Sequence, residues 1–102
     1  MAYKIGGVKT RYFELEAPDS GRLLLIEPPK LKTLKAMEDI EKVKNSGIGE
    51  VAELLSKIIS KNKGGRKVTA DQVMSWMDID EMQAFLDAFM GWLRKSRKSD
   101  PN

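Results

Sequence analysis

Residues 69–94 read TADQVMSWMDIDEMQAFLDAFMGWLR, and the order of polar and apolar residues in this stretch decides most of the fold prediction. Thr69 with Gln72, and Asp78 with Glu81, have the spacing of capping boxes, in which paired side chains satisfy backbone N–H groups at a helix start. Two helix starts this close together predict a short helix, a sharp corner and a longer helix. We place these helices at about residues 70–77 and 79–95.

The longer helix carries a wide apolar arc and, on its other side, a ridge of small residues. At about 100° per residue, the large apolar side chains span an arc of roughly 160°. Its predicted core side consists of Met82, Phe85, Leu86 and Phe89. The predicted partner or oligomer interface consists of Trp76, Ala84, Ala88, Met90, Gly91, Trp92 and Leu93. The alternative is that both sides of this helix pack within one monomer.

Two further helices are predicted upstream, at about residues 29–45 and 48–62. Residues 48–62 have apolar positions spaced three and four apart, which is typical of an amphipathic helix. Residues 31–43 have apolar positions at a constant spacing of three, so their stripe drifts around the helix axis. We therefore expect the first of these helices to lack a single apolar face.

Residues 2–27 have the pattern of a small antiparallel β-meander. Gly6-Gly7 suits a two-residue hairpin turn, because glycine adopts positive φ freely. Residues 12–16 alternate between apolar and polar side chains, which indicates a strand with one solvent-exposed face. Leu23–Ile26 is apolar on both faces, so we expect it to be the most buried strand, covered by helices.

These elements predict an α+β fold, with a small N-terminal antiparallel β-meander followed by a mostly helical region of four helices. The length of 102 residues suits one domain. We assign residues 1–95 to that domain. Residues 96–102, SRKSDPN, are predicted to be a disordered basic tail.

The composition argues against several classes of site. The chain has no cysteine and no histidine, so it lacks disulfides, thiol nucleophiles and the usual ligands of zinc. Asp78, Asp80 and Glu81 cluster closely, but their spacing fits helix capping and lacks the further oxygen ligands of a calcium loop. We see no catalytic constellation and expect a protein that is not an enzyme, with no metal and no cofactor.

The charge pattern does not favour nucleic acid or a membrane as a partner. The net charge is +3, but acidic and basic residues are interspersed. Residues 62–67, NKGGRK, lack the spacing of a phosphate-binding loop and are interpreted as a flexible basic connector. No apolar run approaches the ~20 residues that a membrane-spanning helix requires.

The stretch VTADQVMSWMDIDEMQAFLDAFMGWLRK, residues 68–95, resembles the tail assembly chaperones of long-tailed bacteriophages and related prophages. The resemblance lies in a polar cap, a short apolar helix, an acidic corner and an aromatic-rich helix with a basic end. It implies a homo-oligomer that binds the tape measure protein in the host cytoplasm before the tail tube assembles. It also implies that a frameshift-extended form can exist, and it supplies no catalytic residues.

Two other functions remain open at this level. One is a structural subunit of a phage particle, such as a connector or a tail subunit. The other is a small nucleic-acid-binding regulator that uses Lys63–Lys67 and Arg94–Lys98. Both alternatives predict no catalysis, and they differ from the chaperone in the partner that the protein binds.

Overall fold

The computed structural model describes residues 11–42 and 47–98 of the chain. Within these residues there are two strands and four helices, in agreement with the predicted α+β class. In chain order they are β1 (Phe13–Glu16), β2 (Leu23–Ile26), α1 (Leu31–Lys42), α2 (Ile48–Ser60), α3 (Ala70–Trp76) and α4 (Ile79–Lys98). The strand and the Gly6-Gly7 hairpin predicted before residue 11 lie outside the described residues.

The two strands form an antiparallel hairpin with one face on the helices. Phe13 lies opposite Ile26, and Leu15 lies opposite Leu24. Leu24 and Ile26 are buried, whereas Leu23 on the other face is 58% exposed. As predicted, this strand is more buried than β1 and a helix, α2, packs over it. Successive strand residues point to opposite faces, so Leu23 stays exposed although it is apolar.

Helix α2 is central to the helical layer, since it packs against α1, α3, α4 and β2. It contributes five buried side chains to the core, namely Ala52, Leu54, Leu55, Ile58 and Ile59. The spacing of these residues matches the predicted amphipathic pattern. This helix is the support on which the hairpin and the last two helices are placed.

Helix α1 contacts the core through part of its surface. Met37 is buried and Leu34 and Ile40 are partly buried, whereas Leu31 is 81% exposed. A constant spacing of three moves each successive apolar side chain around the helix axis, so the stripe cannot stay on the core throughout. The expected lack of a single apolar face accounts for the exposed leucine.

Both predicted capping boxes are present. Gln72 N–H donates to Thr69 Oγ1 at 3.1 Å, and Thr69 N–H donates to Gln72 Oε1 at 3.0 Å. Asp78 N–H donates to Glu81 Oε1 at 3.0 Å, and Glu81 N–H donates to Asp78 Oδ1 at 2.8 Å. These reciprocal bonds satisfy N–H groups that a helix start leaves without intrahelical partners. The box at Asp78 and Glu81 thereby fixes the corner between α3 and α4.

Helix α4 is longer than predicted. It ends at Lys98, beyond the predicted end near residue 95, so residues 96–98 of the predicted tail are helical. No proline or glycine occurs between residue 92 and Asp100, so no helix-breaking residue interrupts this stretch. Residues 99–102 of the predicted tail lie outside the described residues.

Candidate protein-binding surface on the last helix

One face of α4 is occupied by the hairpin of the same chain. The ring centroid of Phe13, on β1, lies 5.7 Å from that of Phe85, 5.3 Å from that of Phe89 and 5.6 Å from that of Trp92. All three pairs are edge-to-face, a geometry that aromatic rings favour. This aromatic cluster fixes the orientation of α4 on the domain.

The four residues predicted for the core side of α4 are all buried. Their exposed fractions are 4% for Met82, 8% for Phe85, 3% for Leu86 and 0% for Phe89. Phe85 and Phe89 also stack on each other, with centroids 5.8 Å apart. The helix therefore rests on the domain along several turns.

Met90 belongs to the core and not to the surface left for another chain, which corrects its predicted role. Its exposed fraction is 6%. Met90 follows Leu86 by four residues, so both side chains lie on the same side of the helix. Because Leu86 is a core residue, Met90 is carried into the core with it.

Trp92 and Leu93 are half-buried, and Trp92 already has neighbours within the chain. The Arg11 guanidinium lies 4.4 Å from the Trp92 ring centroid. Arg11 also donates to the carbonyl oxygens of Trp92 and Leu93, both at 3.5 Å. The edge of Trp92 that was expected to receive another chain is thus partly covered by Phe13 and Arg11.

Trp76 lies on α3 and is also half-buried. The Arg66 guanidinium lies 5.6 Å from the Trp76 ring centroid, within cation–π range. Arg66 makes a bidentate contact with Asp19, at 2.6 Å and 3.4 Å. Trp76, on α3, thus contacts Arg66 in the loop that follows α2 of the same chain.

The small residues on the side of α4 away from the core are accessible to solvent. We call the set of Ala84, Ala88 and Gly91 the outer ridge. Ala84 and Ala88 are exposed and Gly91 is partly exposed. A Cβ atom built on Gly91 would meet nothing within 4 Å. Spacings of four and three keep the three residues on one side of the helix. Because their side chains are small, another helix can approach the α4 backbone closely along them.

The flanks of the outer ridge are polar. Gln83 donates to Asp87 Oδ1 at 3.1 Å along the helix surface. Asp80 is exposed at the N-terminal end of the helix, and Arg94 is exposed near its C-terminal end. A helix that docks antiparallel on the outer ridge would have its dipole opposite in direction to that of α4. The positive end of each helix would then lie near the negative end of the other, which is favourable.

Among the described residues, no group of three or more His, Cys, Asp or Glu side chains could hold a metal ion. In the same part of the chain, every buried side-chain nitrogen and oxygen has a hydrogen-bond partner. No described helix is long and apolar enough to cross a membrane.

Sequence reasoning missed the two residues that cover the aromatic face of α4. Phe13 carries a usable signal, because a lone aromatic on the apolar side of an alternating strand needs a partner surface. Arg11 carries none, because its contacts join it to a helix near the far end of the chain. Comparison with protein-family models, curated proteins and solved structures found no match to this chain.

Proposed function

We propose that this protein is a tail assembly chaperone, as its resemblance to that phage family implies, and that the outer ridge receives an apolar helix of the tape measure protein. The observation that supports the proposal is the division of α4 into two sides. Phe89 and its neighbours fix one side in the core, whereas Ala84 and Ala88 leave the other side open.

The physical argument rests on how closely two helices can approach. Helices pack with their axes roughly 8–10 Å apart, and small contact residues allow the shorter distance. The outer ridge supplies such residues on a rigid helix, so little conformational entropy is lost when a partner docks. A strip this narrow gives modest affinity, which suits a chaperone that tail tube subunits later displace in the host cytoplasm.

The same surface accounts for the proposed homo-oligomer. A helix that accepts another helix along a small-residue ridge can accept its own copy across a two-fold axis. Self-association would then cover the ridge until the tape measure protein competes for it. The two associations are therefore expected to exclude each other.

Two basic residues near the connector support a protein partner over nucleic acid. Arg66 binds Asp19, and Lys61 binds Glu27 with their charged atoms 3.0 Å apart. Phosphate contacts require cations that can neutralise the backbone of the nucleic acid. Cations that already face carboxylates are poorly suited to this role.

The test is co-expression with the tape measure protein encoded in the same gene cluster, followed by affinity capture and light scattering. We expect Ala88→Arg to weaken capture at least about tenfold, because a long charged side chain blocks close helix approach. Gln83→Arg is the matched control, since it adds the same side chain beside the ridge and should retain capture. Normal capture by a folded Ala88→Arg variant would exclude the ridge as the binding surface.

A further inference from the structure

The second edge of β2 is partly paired by the segment that follows α2. Glu27 N–H donates to the Lys61 carbonyl oxygen at 2.9 Å, and Lys63 N–H donates to the Leu25 carbonyl oxygen at 2.9 Å. Ile26 forms an isolated antiparallel bridge with Asn62. The connector predicted to be flexible therefore begins with a single β-bridge to β2, which holds its first residues in place.

This pairing ends before it reaches the start of β2. The segment turns at Gly64 and Gly65, where Gly65 has a φ of +73°. Leu25 and Glu27 direct backbone groups toward this edge, and the period of two along a strand directs those of Leu23 the same way. Within the described residues, no backbone hydrogen bond joins Leu23 to the turning segment.

An open groove of about 770 Å³ lies beside this edge, which has no backbone partner at Leu23 among residues 11–42 and 47–98. Leu23 and Leu25 contribute apolar surface to it, and Leu23 is 58% exposed. Its charged lining, as far as the described residues form it, consists of Arg22, Lys63 and Arg66 and includes no carboxylate. The groove thus combines a strand edge that the described part of the chain leaves open, apolar surface and positive charge.

Two of these cations, Arg22 and Lys63, are available to bind a carboxylate of a ligand. Arg66 is held by Asp19, but Arg22 is exposed. The Lys63 ammonium lies 5.7 Å from the Tyr12 ring centroid, an interaction that orients the charge without neutralising it. Positive charge is therefore available on the β2 side and on the loop side of the groove.

The loop wall of the groove is fixed in place. Asn62 is 7% exposed, and its amide donates to the carbonyl oxygens of Ile59 and Arg66, both at 2.8 Å. Arg66 N–H donates back to Asn62 Oδ1 at 3.0 Å. The Arg66–Asp19 contact ties the same wall to the hairpin loop, so the groove is formed before any ligand arrives.

We propose that this groove binds an extended acidic peptide, which adds a strand to β2 at Leu23. The backbone N–H and C=O of Leu23 would pair with the peptide, as in other cases of strand addition. Apolar peptide side chains would contact Leu23 and Leu25, and flanking carboxylates would meet Arg22 and Lys63. This site is separate from the outer ridge and does not depend on the proposed chaperone function.

The test is fluorescence anisotropy of the full chain with a labelled ten-residue peptide of alternating valine and glutamate. We expect saturable binding, and about tenfold weaker binding by a variant carrying Arg22→Glu and Lys63→Glu. A variant carrying Lys35→Glu and Lys57→Glu, on the exposed faces of α1 and α2, is the charge-matched control and should bind normally. Circular dichroism verifies that every variant is folded.

Two modified peptides separate strand addition from charge attraction. A valine–lysine peptide should not bind, and a valine–glutamate peptide with alternate N-methyl groups should bind at least about tenfold more weakly, because it loses backbone hydrogen bonds. Equal binding of the N-methylated peptide would overturn the proposal. So would a labelled single-stranded DNA that competes for the groove, or a dimer that Leu23→Lys dissociates, since each assigns the groove to another occupant.

Discussion

The ring of Phe13 meets the ring of Phe89 edge-on, with centroids 5.3 Å apart and planes at 81°. Phe13 lies on the first described strand and Phe89 on the last helix. This contact joins the two ends of the described chain through its core. It also explains why the aromatic face of α4 is not free to bind a partner.

Replacing Phe13 by alanine should lower the free energy of unfolding by about 2–3 kcal/mol. We expect a smaller loss of unfolding free energy than for a fully buried phenylalanine, because Phe13 is only partly buried. Urea denaturation followed by tryptophan fluorescence measures it, since Trp92 lies in the same cluster. Leu23→Ala, on the exposed face of the same hairpin, should change stability by less than about 0.5 kcal/mol. Equal losses at the two positions would contradict the described packing.

Gly91→Ala should stabilise the protein by about 0.5–1 kcal/mol. Glycine weakens a helix interior relative to alanine, and the added Cβ meets open space. Gly65→Ala is a matched comparison, because its Cβ also meets nothing within 4 Å but its φ is +73°. We expect that variant to lose about 1 kcal/mol or more, since alanine is disfavoured at this backbone conformation. Thermal unfolding of both variants measures the difference, and a shift of the same sign in both would refute this account.

Met90→Asp and Ala88→Asp should separate folding from association. Met90 is buried, so its substitution places a carboxylate in the core and should cost about 3 kcal/mol or more. Ala88 is exposed, so Ala88→Asp should leave the free energy of unfolding within about 1 kcal/mol of the parent. Sedimentation velocity should then show weaker self-association for the folded Ala88→Asp variant. Severe unfolding of Ala88→Asp would show that the ridge is packed and not open.

Asn62→Ala should destabilise the protein by about 2–3 kcal/mol. It removes three hydrogen bonds that hold the loop after α2 and leaves their backbone partners without the amide. Ser75→Ala is the control, because its hydroxyl makes a local bond to the Gln72 carbonyl oxygen on an exposed helix surface. Chemical denaturation of both variants should show a much larger loss at Asn62. A small loss there would mean that the loop is held by other contacts.

The contact between Arg66 and Asp19 should be visible as a pH effect. Its side-chain hydrogen bond from Arg66 lowers the pKa of the Asp19 carboxyl below the ordinary value. A carboxyl whose pKa is lower in the folded state adds stability above its unfolded pKa, and that stability is lost as the pH falls through the folded pKa. The stability difference between the parent and Arg66→Gln should therefore shrink in acid.

An NMR titration of the Asp19 carboxyl tests this directly. In Arg66→Gln the midpoint should move up toward the ordinary value for aspartate. Lys67→Gln removes a neighbouring positive charge without touching the contact, so it serves as the control. An unchanged Asp19 midpoint in Arg66→Gln would show that the guanidinium does not set the pKa.

The order and type of the elements were largely predictable because they depend on neighbouring residues. The boxes at Thr69 and Asp78 act within one helical turn, and their spacing is visible in the sequence. The buried positions of α2 follow from helical periodicity alone. The predicted core side of α4 coincides with buried residues for the same reason.

The remaining features depend on contacts between distant parts of the chain. Leu23 is exposed because the helices cover one face of the hairpin, which the apolar run at residues 23–26 cannot indicate. Met90 lies at the edge of its arc, so a projection cannot decide its side. The role of Asn62 depends on its loop lying beside β2, and no local sequence pattern predicts that contact.

The contact between Phe13 and α4 also constrains the order of events during synthesis. The strand is synthesised before the helix that covers it, and three other helices lie between them in the sequence. Until α4 is complete, Phe13 lacks its aromatic partners Phe85, Phe89 and Trp92, and the emerging chain cannot close its core. The core is therefore expected to close as one unit only after α4 has been synthesised, and the nascent chain is prone to aggregation until then.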